Sequence, residues 1–206
     1  MFPETYSQYD EEQAIVGYFD RGGALPGEPS INPRRFLDVG AWDPKCFSNT
    51  RALFERGWRG VMIDPSPFPL VNLIKEYGQV DGMHIVSAAV AVEATMLKLH
   101  VSADSVSTTE QGNYELWKDH AKFEGTLWVR SITMSEIFNQ FGGFNFINLD
   151  AEGVSVDLFH QMLISGGKPP CCCVEHDGRL SELAAAATAV GYKMVYSNGT
   201  NAVFAL

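Results

Sequence analysis

The chain has 206 residues, 46% of them hydrophobic, enough for one sizeable core, so a single domain over residues 1–206 is the default. Fifteen basic against 25 acidic residues give a formal net charge of −10, which repels polyanions and argues against a nucleic-acid partner. No run of about 18 apolar residues is present, so no membrane span is expected.

The first residues, through Tyr6, lack the basic and apolar regions of a signal peptide. Cys46 stands alone, and Cys171, Cys172 and Cys173 are consecutive, a spacing that fits neither zinc nor mutual bridging. Reduced thiols and a cytoplasmic location are expected, with the triple cysteine packed in a buried strand.

In chain order, a helix is predicted from about Glu11, with apolar Ala14, Ile15, Tyr18 and Phe19. Residues 20–34 carry Gly22, Gly23, Pro26, Gly27, Pro29 and Pro33 and read as a connector. An apolar strand follows over 35–39. Further apolar runs lie at 60–63, 83–92, 96–101, 144–149 and 171–174. Between them, helical spacing recurs at Leu70, Leu73, Ile74 and Tyr77, at Met134, Ile137, Phe138 and Phe141, at Val156, Phe159 and Leu163, and at Leu180, Leu183, Ala184 and Ala187. Alternating strands and helices predict an α/β, Rossmann-like fold, a mostly parallel sheet with helices on both faces. At the end, runs at 192–196 and 202–206 flank Asn198-Gly199, a turn that predicts a C-terminal antiparallel hairpin. Residues 103–125 break the alternation. They are polar with isolated Tyr114, Trp117 and Phe123, and read either as a lid over the ligand edge or as a surface excursion with a short helix at 114–121.

Ligands of such sheets bind at the carboxyl ends of the strands. The first strand ends at Asp38-Val39-Gly40-Ala41, where Gly40 lets backbone approach a ligand and the next helix offers free N–H groups, with Ser48 and Thr50 placed to cap it. The second ends at Asp64-Pro65, where a carboxylate can hold two ribose hydroxyls. The third ends near Ser87-Ala88-Ala89, small residues beside which a flat base fits. The fourth ends at Asp150-Ala151-Glu152-Gly153, and the fifth at Glu175-His176-Asp177. Asp150 and His176 are the candidate bases. Asp150, Glu152 and His176 are a less favoured set of divalent-metal ligands.

Gly40 is the one glycine between residues 40 and 45, which excludes the dinucleotide fingerprint, and no P-loop is present. The single-glycine turn, the acid at the second strand end and the terminal hairpin suit a class I S-adenosylmethionine methyltransferase.

The chain also resembles the FkbM-type methyltransferases over most of its length. The resemblance is carried by Ser7-Gln8-Tyr9-Asp10-Glu11-Glu12, by Phe36-Leu37-Asp38-Val39-Gly40-Ala41-Trp42-Asp43, by Ser48-Asn49-Thr50, by Gly57-Trp58-Arg59-Gly60-Val61-Met62-Ile63-Asp64-Pro65, and by Ile147-Asn148-Leu149-Asp150-Ala151-Glu152-Gly153. It implies S-adenosylmethionine bound by Asp38, Gly40 and Asp64, Asp150 near the methyl group, and O-methylation of a sugar or similar small-molecule or glycan hydroxyl. Pro44 stands where that family usually has glycine, and Trp42 where asparagine is frequent. Proline removes a backbone donor and fixes φ, so the donor loop is expected to take its own path. The alternative is a degenerate domain of this fold that binds or scaffolds without catalysis.

Overall fold

The computed structural model describes residues 5–22 and 34–206, so most of the predicted connector lies outside the described residues. Ten strands and seven helices follow one another in the described chain. Helix α1 (Glu11–Asp20) precedes β1 (Arg35–Val39), α2 (Arg51–Glu55), β2 (Arg59–Asp64), α3 (Pro67–Tyr77) and β3 (Met83–Ser87). A smaller unit follows, with β4 (Ala89–Val90), β5 (Met96–Ser102), α4 (Gln111–Trp117) and β6 (Phe123–Ile132). The chain then returns through α5 (Met134–Phe141), β7 (Phe146–Leu149), α6 (Ser155–Ile164), β8 (Cys171–Glu175), α7 (Leu180–Ala189), β9 (Lys193–Ser197) and β10 (Asn201–Ala205).

Seven strands form one sheet in the order β3-β2-β1-β7-β8-β10-β9. The pairs from β3 to β8 are parallel, and β10 runs antiparallel to both its neighbours. The predicted hairpin is therefore present. Its turn is held by Asn198, whose Oδ1 accepts from the backbone N–H of Thr200 and Asn201.

Alternate side chains on each strand go to opposite faces, so both faces must be covered. On one, Leu37, Ile63, Ile147 and Val174 pack with Ile137 of α5, Phe159 of α6 and Leu183 of α7. On the other, Phe36, Met62, Phe146 and Cys173 pack with Ile15 of α1, Leu53 of α2 and Leu73 of α3. Each such fully buried side chain stabilises by roughly 1.5–3 kcal/mol, which makes these two layers the main source of stability. Local chemistry agrees with the boundaries. Pro67 opens α3, where its missing N–H costs nothing. Thr133 and Glu136 form a reciprocal capping box at α5. Cys171, Cys172 and Cys173 are buried free thiols in β8, and burial pushes their pKa values up.

Three expectations change. The run at 83–92 is two strands in two sheets: β3 pairs with β2, whereas β4 pairs with β6. Residues 103–125 hold α4 from Gln111, earlier than the expected helix, and lead into β6, a strand that the sequence reading missed. Strand β6 pairs antiparallel with β5 along its length, completing the order β4-β6-β5. Third, no helix follows Gly40 directly. A loop runs to Arg51, and α2 has only five residues. No helix among the described residues is long and apolar enough to cross a membrane.

Candidate functional site

The strand order reverses between β1 and β7, since the chain builds outward from β1 through β2 and β3 and then returns to its other side. At such a point the loops leave in opposite directions and open a crevice. A cleft of about 500 Å³ lies there, lined by the ends of β1, β2, β7 and β8 and by residues 105–109 and α4.

Asp38, Gly40, Ala41, Asp64, Pro65, Ala88, Asp150 and Glu152 all line this cleft. Ser87 does not. It is exposed and pairs with Asp64 across the β3 edge.

Asp38 is 2% exposed. Its Oδ2 accepts from Thr50 Oγ1 at 2.5 Å and its Oδ1 from Asn148 Nδ2 at 2.9 Å. Burial raises its pKa, and these two bonds oppose the rise. Thr50 thus orients a carboxylate instead of capping α2, while Ser48 accepts from the N–H of Arg51. Asp64 is also buried. Its Oδ1 accepts from Ser66 N at 2.7 Å and its Oδ2 from Trp42 N at 3.1 Å. Burial pushes its pKa up to about 6 against those bonds, and Asp38 adds to the rise.

Gly40 lines the cleft and has a further role beyond the one expected. Its φ is +77°, and a Cβ there would lie 1.7 Å from the Asp150 carbonyl oxygen. The absent side chain makes room for the β7 loop, which Asp150 N also ties to Val39 O. The loop around Pro44 is held by its own bonds. Asp43 accepts from the N–H groups of Lys45 and Cys46, and the Tyr77 hydroxyl donates to Pro44 O.

The acidic end of the cleft is built by strand register. Asn148 pairs with Cys173 and Leu149 with Val174, so Asp150 and Glu175 emerge side by side one step further on. Carboxylate oxygens of Asp150, Glu152 and Glu175 lie within 4.8 Å of one another. Burial raises all three pKa values; Asp150 adds to the rise at Glu152 and Glu175, whereas at Asp150 the Glu175 hydrogen bond opposes the rise and Asp38, Asp177 and Glu11 add to it. A proton shared between Asp150 and Glu175 favours the charged form of Asp150 and the neutral form of Glu175. Ser155 Oγ contacts Glu175 Oε2 at 3.3 Å and accepts from Ala151 N. Asn113 Nδ2 and Thr108 Oγ1 donate to the Glu152 side chain and carbonyl respectively, which ties the 103–125 segment to this corner.

His176 is outside the cleft lining. Its Nδ1 accepts from Gly178 N, which leaves Nε2 to donate to Asn198 O. Both ring nitrogens serve the backbone, so the expected base and metal ligand is replaced in this corner by Glu175. Period-two alternation carried from Cys173 is the signal that would have identified it. Among residues 103–125, Tyr114 stacks on His100 at 4.0 Å and meets Phe123 edge-on, so these rings are consumed by packing. Trp117 alone of the three aromatics lines the cleft.

Trp42, Phe47, Glu152 and Asp177, the non-glycine residues with positive φ among the described residues, all line the cleft. Each costs on the order of 1 kcal/mol, and such strain concentrates at ligand sites. No protein-family model matches the chain, and no curated protein matches it. Assignment of a reaction therefore rests on the cleft and on the motifs themselves.

Proposed function

We propose that this cleft binds S-adenosylmethionine and that the chain is a class I methyltransferase, acting on a hydroxyl of a small molecule or glycan. The observation that carries this reading is the meeting of Asp38, Asp64 and Asp150, from the ends of three strands, around the crevice where the strand order reverses. The antiparallel β10 between β8 and β9 supports the same class.

The residues fit the donor. Each Asp64 oxygen accepts one backbone N–H and keeps a lone pair for a ribose hydroxyl. Ser66 Oγ is buried, lines the cleft and has no protein partner, as a group that meets a polar ligand does. Ala88 and Ala89 leave space beside the end of β2 for a flat base. Bound S-adenosylmethionine would supply an activated methyl carbon on positively charged sulfur, to which an acceptor oxygen could bond as the carbon–sulfur pair left with a neutral thioether. The protein's share is alignment and proton removal. Asp150, which keeps the charged form beside a neutral Glu175, is the carboxylate placed to take the acceptor proton. Its raised pKa makes it a better base near neutral pH than an ordinary carboxylate.

The test is calorimetric titration with S-adenosylmethionine. The wild-type chain should bind, and Asp64→Asn, which keeps shape but removes an acceptor, should weaken binding about tenfold or more. Equal affinity in the variant, or none in the wild type, would falsify the reading.

A further inference from the structure

The charge of the cleft is one-sided. Asp38, Asp64, Asp150, Glu152, Glu175 and Asp177 line it, and no lysine, arginine or histidine does. Asp38 is occupied by Thr50 and Asn148, and Asp64 lies at the ribose end. Asp150, Glu152, Glu175 and Asp177 remain, more carboxyl groups than one sulfonium calls for, and a cation bound among them would favour their charged forms.

Beneath them sits an unmatched acceptor. Asn49 is 4% exposed, and its Nδ2 donates to Asn148 Oδ1 and contacts Cys173 Sγ. Asn148 and Cys173 are the residues two before Asp150 and Glu175, on the same face of the sheet. The Asn49 Oδ1 in this layer lines the cleft and has no partner. Carboxylates and an orphan carbonyl oxygen make a corner that accepts hydrogen bonds, which suits a ligand that donates them and carries positive charge. An ammonium has three donors and no acceptor.

An apolar wall stands over the same corner. Asn113 of α4 is bonded to Glu152, and Leu116 and Trp117 lie three and four residues on, so they share its helix face. Both line the cleft, yet Leu116 is 66% and Trp117 37% exposed, and α4 has no buried residue. A bare metal ion would leave that face uncovered. An organic cation covers it and gains cation–π attraction from the indole.

We infer that the acceptor is an organic ammonium compound, its charged nitrogen held at Glu152 and Glu175, with Asp150 left to its hydroxyl, and its apolar body lying against Leu116 and Trp117. This rests on the methyl-transfer reading only in calling that molecule the acceptor. The site itself is independent of the donor.

Three probes with one body and different charge test it: tyramine, tyrosol and 4-hydroxyphenylacetate, each titrated into the full chain by calorimetry. Tyramine should bind about tenfold or more tighter than tyrosol, and 4-hydroxyphenylacetate weakest. Glu175→Gln and Glu152→Gln should bring tyramine down to the tyrosol level. Trp117→Ala, at an exposed position, should weaken tyramine and tyrosol alike while leaving the melting temperature in place. Tyrosol binding as tightly as tyramine overturns the proposal. So does magnesium or calcium chloride binding in the corner and displacing tyramine, which would make it a site for an inorganic cation. A separate titration with S-adenosylmethionine keeps the two readings apart. A chain that ranks the probes as expected but binds no donor keeps the cation site and loses the methyl-transfer reading. One that binds donor without ranking the probes does the reverse.

Discussion

The seven-stranded sheet and the β5–α4–β6 excursion meet at one cleft but are held by different forces. Strands β1, β2, β7 and β8 are almost wholly buried, with helices on both faces. Strand β6 is mostly exposed and α4 buries no side chain. Polar bonds such as Thr108 to Glu152 O and Asn113 to Glu152 fasten the excursion to the cleft, each worth about 1 kcal/mol net. The sheet thus fixes the acids, and the excursion adds a weakly fastened wall.

The largest break in this contrast should come from Gly40→Ala. A Cβ would collide with the Asp150 carbonyl at a φ that alanine disfavours, so the sheet's own loops must separate. A loss of about 3 kcal/mol or more is expected in urea unfolding. A loss under about 1 kcal/mol would show that the β1 and β7 loops are looser than described.

Acidity is the next lever. Asp64 is held up to about 6, above its ordinary 3.8, so the folded chain keeps a proton that the unfolded chain has released between those values. Its contribution is present below about pH 4 and is lost as pH rises to about 6, on the order of 1–3 kcal/mol. Asp150, Glu152 and Glu175, facing Asp38, Asp177 and Glu11, are raised as well and continue the decline at higher pH. Urea melts across this range should show falling stability, and Asp150→Asn should flatten the upper part. Stability that rises with pH would contradict the buried acids.

Thr50→Val should cost about 1–3 kcal/mol, because it strands one oxygen of the buried Asp38. No change in the denaturation midpoint would mean that water replaces the hydroxyl. At the far end of the scale, Trp128→Ser on the outer face of β6, where the ring is 66% exposed, should shift stability by no more than about 0.5 kcal/mol. A larger loss would erase the distinction between the two regions.

The sheet was legible because its signals are local. Apolar runs marked β1, β2, β7 and β8 within a residue or two, and Asn198-Gly199 marked the terminal hairpin. Asp38, Asp64 and Asp150 followed, since each ends such a run. Strand β6 alternates weakly and leaves its outer face to solvent, so burial gave it little pattern. Its evidence is the partner β5, on the far side of α4.

Sequence alone determined an α/β chain with acids at the strand ends, because hydrophobic period and turn chemistry act over a few residues. Three matters waited for the tertiary structure. Gly40 yields to the Asp150 carbonyl, Thr50 serves Asp38, and Glu175 instead of His176 joins Asp150 and Glu152. The second depends on the loop that brings Thr50 back over β1, and the first and third on the register between strands distant in the chain. A shift of one residue turns a side chain to the opposite face, so only the paired sheet decides which of two neighbours meets the cleft.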